Sequence, residues 1–410
     1  MQRISPVLAD IAHRDKDHQA RAVSDLKRQV LAASKRLPGD ALLEFYKQLR
    51  GDICNNLMSK NKFENLGAIT TIVELIQLEG ILLNTDVNLS MFGRNLLNVL
   101  PPFGNDRDVV VAACTALGEL AAHLTSPTMA QRFVSRHAEK ALEWLEHSTV
   151  RNDLKRFAAA LILEVLVKRR PVEFAQHIPR TFESIFKVIH DQKLLLRETG
   201  VNVLKQCLLV WRGRGLYPGI YRDIEVGFTT SKEEMVHGSV LAASAFVTHT
   251  GDYINDTHYF QSVCDSTVAH FETRKEVVQT ALIQLIPQLA RVQRGVFLTY
   301  KVQSDDKSLP YYKVAIDFII RGLRKDKFRQ TAIEAIGDLA AELKQNMAAY
   351  LEQIIPDLRN ALDKKFQKGA CRCTLHLWRA LYLIGLALEY HQHCCARRCS
   401  ARVSWVVVAY

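Results

Sequence analysis

The chain has 410 residues, a formal net charge of +11, and 48% hydrophobic and 24% charged residues, a balance that fits a folded protein and excludes a disordered one. Residues 370–410 carry five Arg and one Glu, hence +4, which leaves about +7 over the preceding 369 residues; a bias that diffuse does not argue for a nucleic-acid-binding stripe, and no nucleic-acid partner is expected. No apolar run reaches the ~18 residues of a membrane helix, and the opening "MQRISPVLADIAHRDKDH" turns charged too early for a secretory signal, so the sequence reads as intracellular. The hydrophobic period along the chain is 3.6, and strand alternation is almost absent. Breakers recur at Pro38-Gly39, Gly80, Pro101-Pro102, Pro127, Pro171, Gly213 to Gly219, Gly251 and Pro310. Each interval suits one or two helices.

In chain order, a pair of helices over residues 17–37 and 40–59 opens the series. A phrase then begins to recur: a small or apolar residue, followed by apolar residues four and seven positions on. It occurs at Ala68/Ile72/Leu75, Ala113/Leu117/Leu120, Ala158/Ile162/Val165 and Gly200/Leu204/Cys207, then at Gly238/Ala242/Ala245, Leu282/Ile286/Leu289 and Ala332/Ile336/Leu339. Successive starts are 45, 45, 42, 38, 44 and 50 residues apart, as the numbering shows. Two of the copies, "VVVAACTALGELAAHL" (109–124) and "RQTAIEAIGDLAAEL" (329–343), match closely and set Gly118 over Gly337. Two helices and two turns fit such a step, which is close to the roughly 40–47-residue period of HEAT and armadillo repeats. The expected fold is therefore all-α, an α-solenoid of about eight helical hairpins over residues 1–369. The small residues Ala68, Ala113, Gly118, Ala158, Gly200, Gly238, Ala332 and Gly337, with Leu282, form its packing seam. A hairpin of about 40 residues cannot bury its own apolar face, so neighbours must stack.

Between the registers, "PTMAQRFVSRHAEKALEWLEH" (Pro127–His147) opens on Pro and carries Phe133, His137, Ala141, Leu142 and Leu145 on one side. The stretch 174–191 contains Pro179, which should kink or split it. Pro287 takes the place of Gly118 and Gly337, on what is read as the first helix of a repeat, and should bend that helix. Four cysteines (Cys54, Cys114, Cys207, Cys264) fall in amphipathic stretches and read as buried hydrophobes in a reducing compartment. Five more (Cys371, Cys373, Cys394, Cys395, Cys399) crowd the last forty residues. With His376, His391 and His393 they are zinc-type ligands, but at spacings of no known finger. Residues 370–410 read as an atypical Cys/Arg-rich tail, with the character of a frameshifted or read-through end.

Several stretches resemble the N-terminal HEAT region of the target-of-rapamycin (TOR) serine/threonine kinases, in the same order. They are "FYKQLRGDI" (45–53), "GAITTIVELIQLEG" (67–80), "NLLNVLPP" (95–102), "KALEWLEH" (140–147), "FESIFKVIHDQKLLLRE" (182–198) and "VHGSVLAASAFV" (236–247). The resemblance spans residues 5–366. It departs after Gly251, where a longer insertion is usual in the family, and again in the tail. It implies a non-catalytic scaffold within TOR complexes in nutrient and growth signalling. Implied partners are raptor or rictor, a Rheb-type GTPase and the rest of a TOR dimer. The implied location is the cytoplasm, with peripheral lysosomal or other endomembrane and nuclear sites reached through the parent complex. The ATP and Mg of the parent would belong to a kinase domain that this stretch does not include.

The residues offer no catalytic set of their own. Phosphoryl transfer needs a phosphate-covering loop, a Lys and metal-holding acids, and no G-x-G-x-x-G follows a strand. "HRD" occurs at His13–Asp15, but the position five residues after the Asp is Ala20, not Asn, so it reads as a polar helix entry. Glu233-Glu234 suits a helix start, and "WRGRGLYPG" (211–219) suits a turn more than a phosphate-contacting loop. No catalytic, cofactor or metal residue is expected in the solenoid. The alternative is an unrelated HEAT adaptor, such as a nuclear transport receptor or phosphatase scaffold. Transport receptors usually carry acidic runs on inner helices, and this basic chain has none.

Overall fold

The computed structural model describes residues 4–366 except 79–82, 84, 102–105, 148–151, 256–257 and 305–306. Gly80, Pro102 and the 370–410 tail lie outside the described residues. By contact the chain divides into two compact units, Met1–Ile220 and Tyr221–Tyr410. The expected boundary at 369/370 falls outside the described residues.

The first unit is built from helices α1 (Ile4–Ile11), α2 (Lys16–Arg36), α3 (Gly39–Leu57), α4 (Lys62–Ile76), α5 (Asp86–Leu96) and α6 (Arg107–His123). There follow α7 (Pro127–His147), α8 (Asp153–Arg169), the single turn α9 (Pro171–Phe174), α10 (Ile178–Ile189) and α11 (Leu194–Val210). Helix α12 (Tyr217–Phe228) crosses the boundary between the units. Sequence-local chemistry sets many of the starts. Asn61 caps α4 by accepting from the Phe63 amide at 3.0 Å, and Asp106 caps α6 through the amides of Asp108 and Val109 at 2.9 and 3.2 Å. Pro179 sits in the first turn of α10, after a 3-10 turn at Ala175–His177. The expected long helix is thus split where proline removes an amide.

The phrase-bearing helices α4, α6, α8 and α11 pack one on the next and form one layer; α3, α5, α7 and α10 form the other. Each phrase helix is the second member of its hairpin, with α3/α4, α5/α6, α7/α8 and α10/α11 as the main pairs. The sequence pattern alone suggests the opposite order, with the phrase helix first. The opening pair also shifts by one helix, because α2 packs chiefly on α1 and α3 on α4. Side chains close these hairpins. Asn65 Nδ2 donates to the carbonyls of Asn56, Leu57 and Ser59, each at 3.0 Å, satisfying acceptors that the end of α3 leaves open. Between neighbouring hairpins, Arg170 at the end of α8 serves the end of α6, giving hydrogen bonds to the carbonyls of Ala121 (2.7 Å), Ala122 (3.1 Å) and Leu124.

The second unit holds α13 (Glu233–His249), α14 (Gly251–Asn255), α15 (Tyr259–Ala269), α16 (Glu276–Val292), α17 (Arg294–Thr299), α18 (Tyr311–Leu323), α19 (Arg329–Leu343) and α20 (Leu351–Phe366). Within this unit α13 packs on α16 and α16 on α19, and α18 pairs with α19. Helix α16 runs through Pro287 without interruption. Sequence reading missed one element, an antiparallel hairpin of β1 (Lys301–Ser304) and β2 (Lys307–Pro310), paired from Lys301↔Pro310 to Ser304↔Lys307. Pro310 ends β2, where its missing amide costs the ladder least, and the Tyr311 amide donates to the Tyr300 carbonyl at 2.8 Å. This insert lies within the 50-residue step from Leu282 to Ala332.

Candidate interaction surface

The seven recurring registers are buried at every position except Val165, which is half-buried. Ala68 lies on α4, Ala113 and Gly118 on α6, Ala158 on α8, Gly200 on α11, Gly238 on α13, Leu282 on α16, and Ala332 and Gly337 on α19. Gly118 faces the next repeat: a Cβ there would stand 3.0 Å from Val165 Cβ. Beside it, the Cys114 thiol lies 3.7 Å from the Ala158 carbonyl, so α6 and α8 meet almost backbone to backbone. Gly200 makes its close approach within its own hairpin, where a Cβ would lie 3.0 Å from Ile189 Cγ1 on α10.

Polar contacts flank this packed layer at both edges. At the N-terminal ends of the phrase helices, Lys62 meets Asp106 (3.0 Å) and Asp108 (2.7 Å), and Lys193 meets Asp153. In the second unit, Lys275 meets Glu233 (2.8 Å) and Lys327 meets Glu276 (3.3 Å). The C-terminal ends carry Arg169–Glu119, Arg291–Glu342 (3.0 Å) and Ser244 Oγ donating to Gln288 Oε1 (2.6 Å). Exposed pairs of this kind are worth about 0–1 kcal/mol each. Their regularity aligns neighbouring repeats more than it stabilises them. The exception is Arg156 on α8, which is buried and reaches Asp191 (2.5 Å) and Asp153 (2.8 Å).

The polar stretches with a chemical look fall into structural roles. Asp15 of "HRD" caps α2, its carboxylate accepting from the Asp17 amide at 3.1 Å, and His13 Nδ1 accepts from the Asp15 amide at 3.1 Å. Glu233 and Glu234 occupy the first turn of α13. Residues 211–219 link α11 to α12 through a 3-10 turn at Arg214–Leu216, with Trp211 Nε1 donating to the Gly213 carbonyl at 2.5 Å. Cys114, Cys207 and Cys264 are buried and Cys54 is half-buried. Burial pushes all four thiols up in pKa, so they are held protonated and unreactive. Among the described residues no group of three or more His, Cys, Asp or Glu could hold a metal. The Cys371–Cys399 cluster and its histidines lie outside them.

Three histidines of the first unit are held neutral by burial. His137 stands with Nδ1 2.7 Å from the Phe133 carbonyl and Nε2 3.1 Å from the Gly93 carbonyl. Burial lowers its pKa, and the two carbonyls offset only part of that. Burial also lowers the pKa of His177 and brings that of His190 down to about 4. Because the folded values lie below the unfolded ~6.5, the unfolded chain takes protons first as pH falls. The stabilising effect is complete above about pH 6.5 and is lost progressively toward pH 4. Thermal melts at pH 7.5, 5.5 and 4.5 should show a falling midpoint, and His190→Phe should flatten the fall.

In the second unit a cleft of about 280 Å3 opens between the loop after α15 and the loop joining α18 to α19. Its floor is apolar. Phe271 and Phe318 stack with ring centroids 4.2 Å apart and planes 6° apart, beside buried Ile283 and Phe328. Its mouth carries exposed Glu272, Arg321, Arg324 and Lys325. Sequence reasoning missed this site. The only local signal was the basic run "RGLRKDKFR" (321–329).

Hairpins stacked in two layers through small-residue faces define an α-solenoid of the HEAT/armadillo class. Solved structures agree on the fold. The karyopherin Kap121p bound to the extreme C-terminus of the protein phosphatase Cdc14p superposes with a TM-score of 0.57 at 12% identity, covering 96% of this chain and 43% of that one. The karyopherin Kap95p, solved with RanGDP, gives 0.56 at 13%, covering 96% and 54%. Such identities speak to fold alone. No family model matches the chain. Among curated proteins, it is 28% identical over 367 residues to the serine/threonine-protein kinase tor1 of Schizosaccharomyces pombe, covering 88% of this chain and 15% of that protein. It is also 28% identical over 377 residues to the TOR kinase of Oryza sativa (89% and 14%) and 26% identical over 396 residues to that of Arabidopsis thaliana (95% and 15%). The chain is thus similar, over about nine-tenths of its length, to one stretch of the TOR kinases, and it spans about a seventh of their length. No described helix is long and apolar enough to cross a membrane.

Proposed function

We propose that the chain is a protein-binding scaffold segment of a TOR-type serine/threonine kinase, non-catalytic in itself and acting in nutrient and growth signalling. The observation that carries this reading is the similarity to TOR kinases of a fungus and two plants, which covers 88–95% of the chain. The stacked architecture supports it, since a solenoid offers long surfaces on which partners dock at many weak points. The seam residues, Ala113 and Gly118 among them, act by letting repeats approach rather than by touching partners. Raptor or rictor, a Rheb-type GTPase and the remainder of a TOR dimer are the proposed partners. The cytoplasm is the proposed site, with lysosomal or other endomembrane surfaces and the nucleus reached through the parent complex. ATP and Mg would serve a kinase domain of that parent and not this segment.

Co-precipitation of the purified, folded chain with purified raptor or rictor tests the reading, and stoichiometric capture of either is the expected result. Capture of neither, by a chain whose circular dichroism and cooperative melting show it folded, would overturn it. A second reading, a HEAT adaptor of the nuclear-transport type, draws on the likeness to Kap121p and Kap95p. Tight binding of a basic nuclear-localisation peptide in place of raptor or rictor would favour that alternative.

A further inference from the structure

We propose that the cleft under the α18–α19 loop captures one leucine-sized aliphatic side chain from an acidic segment of a protein partner. Size sets the first limit. At about 280 Å3 the cleft lies at the lower edge of the ~300–1,000 Å3 of small-molecule and cofactor sites and has room for an anchoring side chain of the kind that centres a peptide hot spot. Shape sets the second. The parallel Phe271 and Phe318 rings, with Ile283 beside them, make an apolar floor without a charged group. Gly322 lies against that floor, where a Cβ would stand 3.0 Å from Ile283 Cδ1 and require that methyl group to shift.

Charge specifies what surrounds the anchor. The nine residues 321–329 carry five cations and one Asp. Arg321 already donates to Glu272 (2.6 Å) and Arg324 to Asp357 (2.9 Å). Lys325, at the mouth, is exposed and makes no ion pair among the described residues, its ammonium resting 5.9 Å from the Phe328 ring centroid. A carboxylate one or two residues from the inserted side chain is complementary to that ammonium. Competing polyanions fit less well. Leu323 and Phe328 are buried, so the basic run offers no apolar side chain to enter a bilayer and no exposed ring on which a base could stack.

A peptide library displayed on phage and selected on the intact chain tests this directly. The expected consensus is a Leu, Ile or Met flanked by two or more acids, and a fluorescein-labelled consensus peptide should bind by polarisation. Lys325→Glu should weaken that binding at least tenfold. Gly322→Ala should weaken it as well by displacing Ile283 into the cleft, while alanine's higher helix propensity protects the fold. Absence of such a consensus would overturn the proposal, as would equal binding by both variants with unchanged circular dichroism, or preferential binding to phosphatidylserine vesicles or duplex DNA. The proposal rests on the scaffold reading only in supposing a protein partner. The two fail separately, because loss of raptor and rictor capture leaves the peptide measurement unaffected.

Discussion

Replacing Ala113 with arginine is expected to lower the stability of the first unit by about 3–5 kcal/mol. Ala113 is fully buried on α6, the layer helix that packs between α4 and α8. No Asp or Glu is among the buried described residues of α4, α6 and α8, and an unpaired buried charge costs several kcal/mol. Overpacking adds to this, since helices this close have no volume to yield. Ala332→Arg should do the same to the second unit, where Ala332 is fully buried on α19. Ala122→Arg is the control: Ala122 is exposed on the same helix as Ala113, and surface changes stay within about 0.5 kcal/mol. Denaturant unfolding of the three variants measures the contrast. Unchanged stability in both buried variants would mean that the register is misplaced.

Arg156→Ala should be comparably severe, for a different reason. The Arg156 and Asp191 side chains are only 5% and 8% exposed, and they meet at 2.5 Å. Arg197 donates to the backbone carbonyls of Asp191 and Gln192 at 2.8 and 2.9 Å, which fixes the loop and holds Asp191 in place. Removing one partner leaves the other charge stranded, at a cost of about 3–5 kcal/mol. Replacing both by apolar groups of similar volume, as in Arg156→Met with Asp191→Leu, should recover most of that loss. A double-mutant cycle followed by urea unfolding gives the coupling directly. A single Arg156→Ala change costing under about 0.5 kcal/mol would show that the pair is solvated and structurally idle.

Much of the architecture was legible because stacking constrains composition at particular points. Where α6 and α8 meet at Gly118 and Val165, the close approach needs a small residue, and the wider phrase, a small or apolar residue followed by apolar ones four and seven positions on, returns every 38–50 residues with the hairpin. The partner of each helix was not legible, since steps of similar length allow either neighbour. The opening helices α2 and α3 therefore appeared as a pair, although each packs chiefly on another helix. The β1–β2 hairpin escaped notice because each strand has four residues and, among its described side chains, Val302 alone is deeply buried, too little to declare a period. The cleft was invisible for a topological reason. Phe271, Ile283, Phe318 and Phe328 each look like an ordinary helix or loop residue, and only stacking brings them around one opening.

The layer of phrase helices also has a kinetic meaning. In the first unit α6 packs on α4 and α8, and α8 on α6 and α11, so most tertiary contacts join segments roughly one repeat apart in sequence. Low contact order of this kind favours rapid folding, and near-neighbour coupling lets structure nucleate at any hairpin and spread along the stack. Unfolding then travels as a front, in which each lost hairpin exposes the apolar face of the next. Amide exchange should accordingly be slowest in helices flanked on both sides, such as α6 and α8.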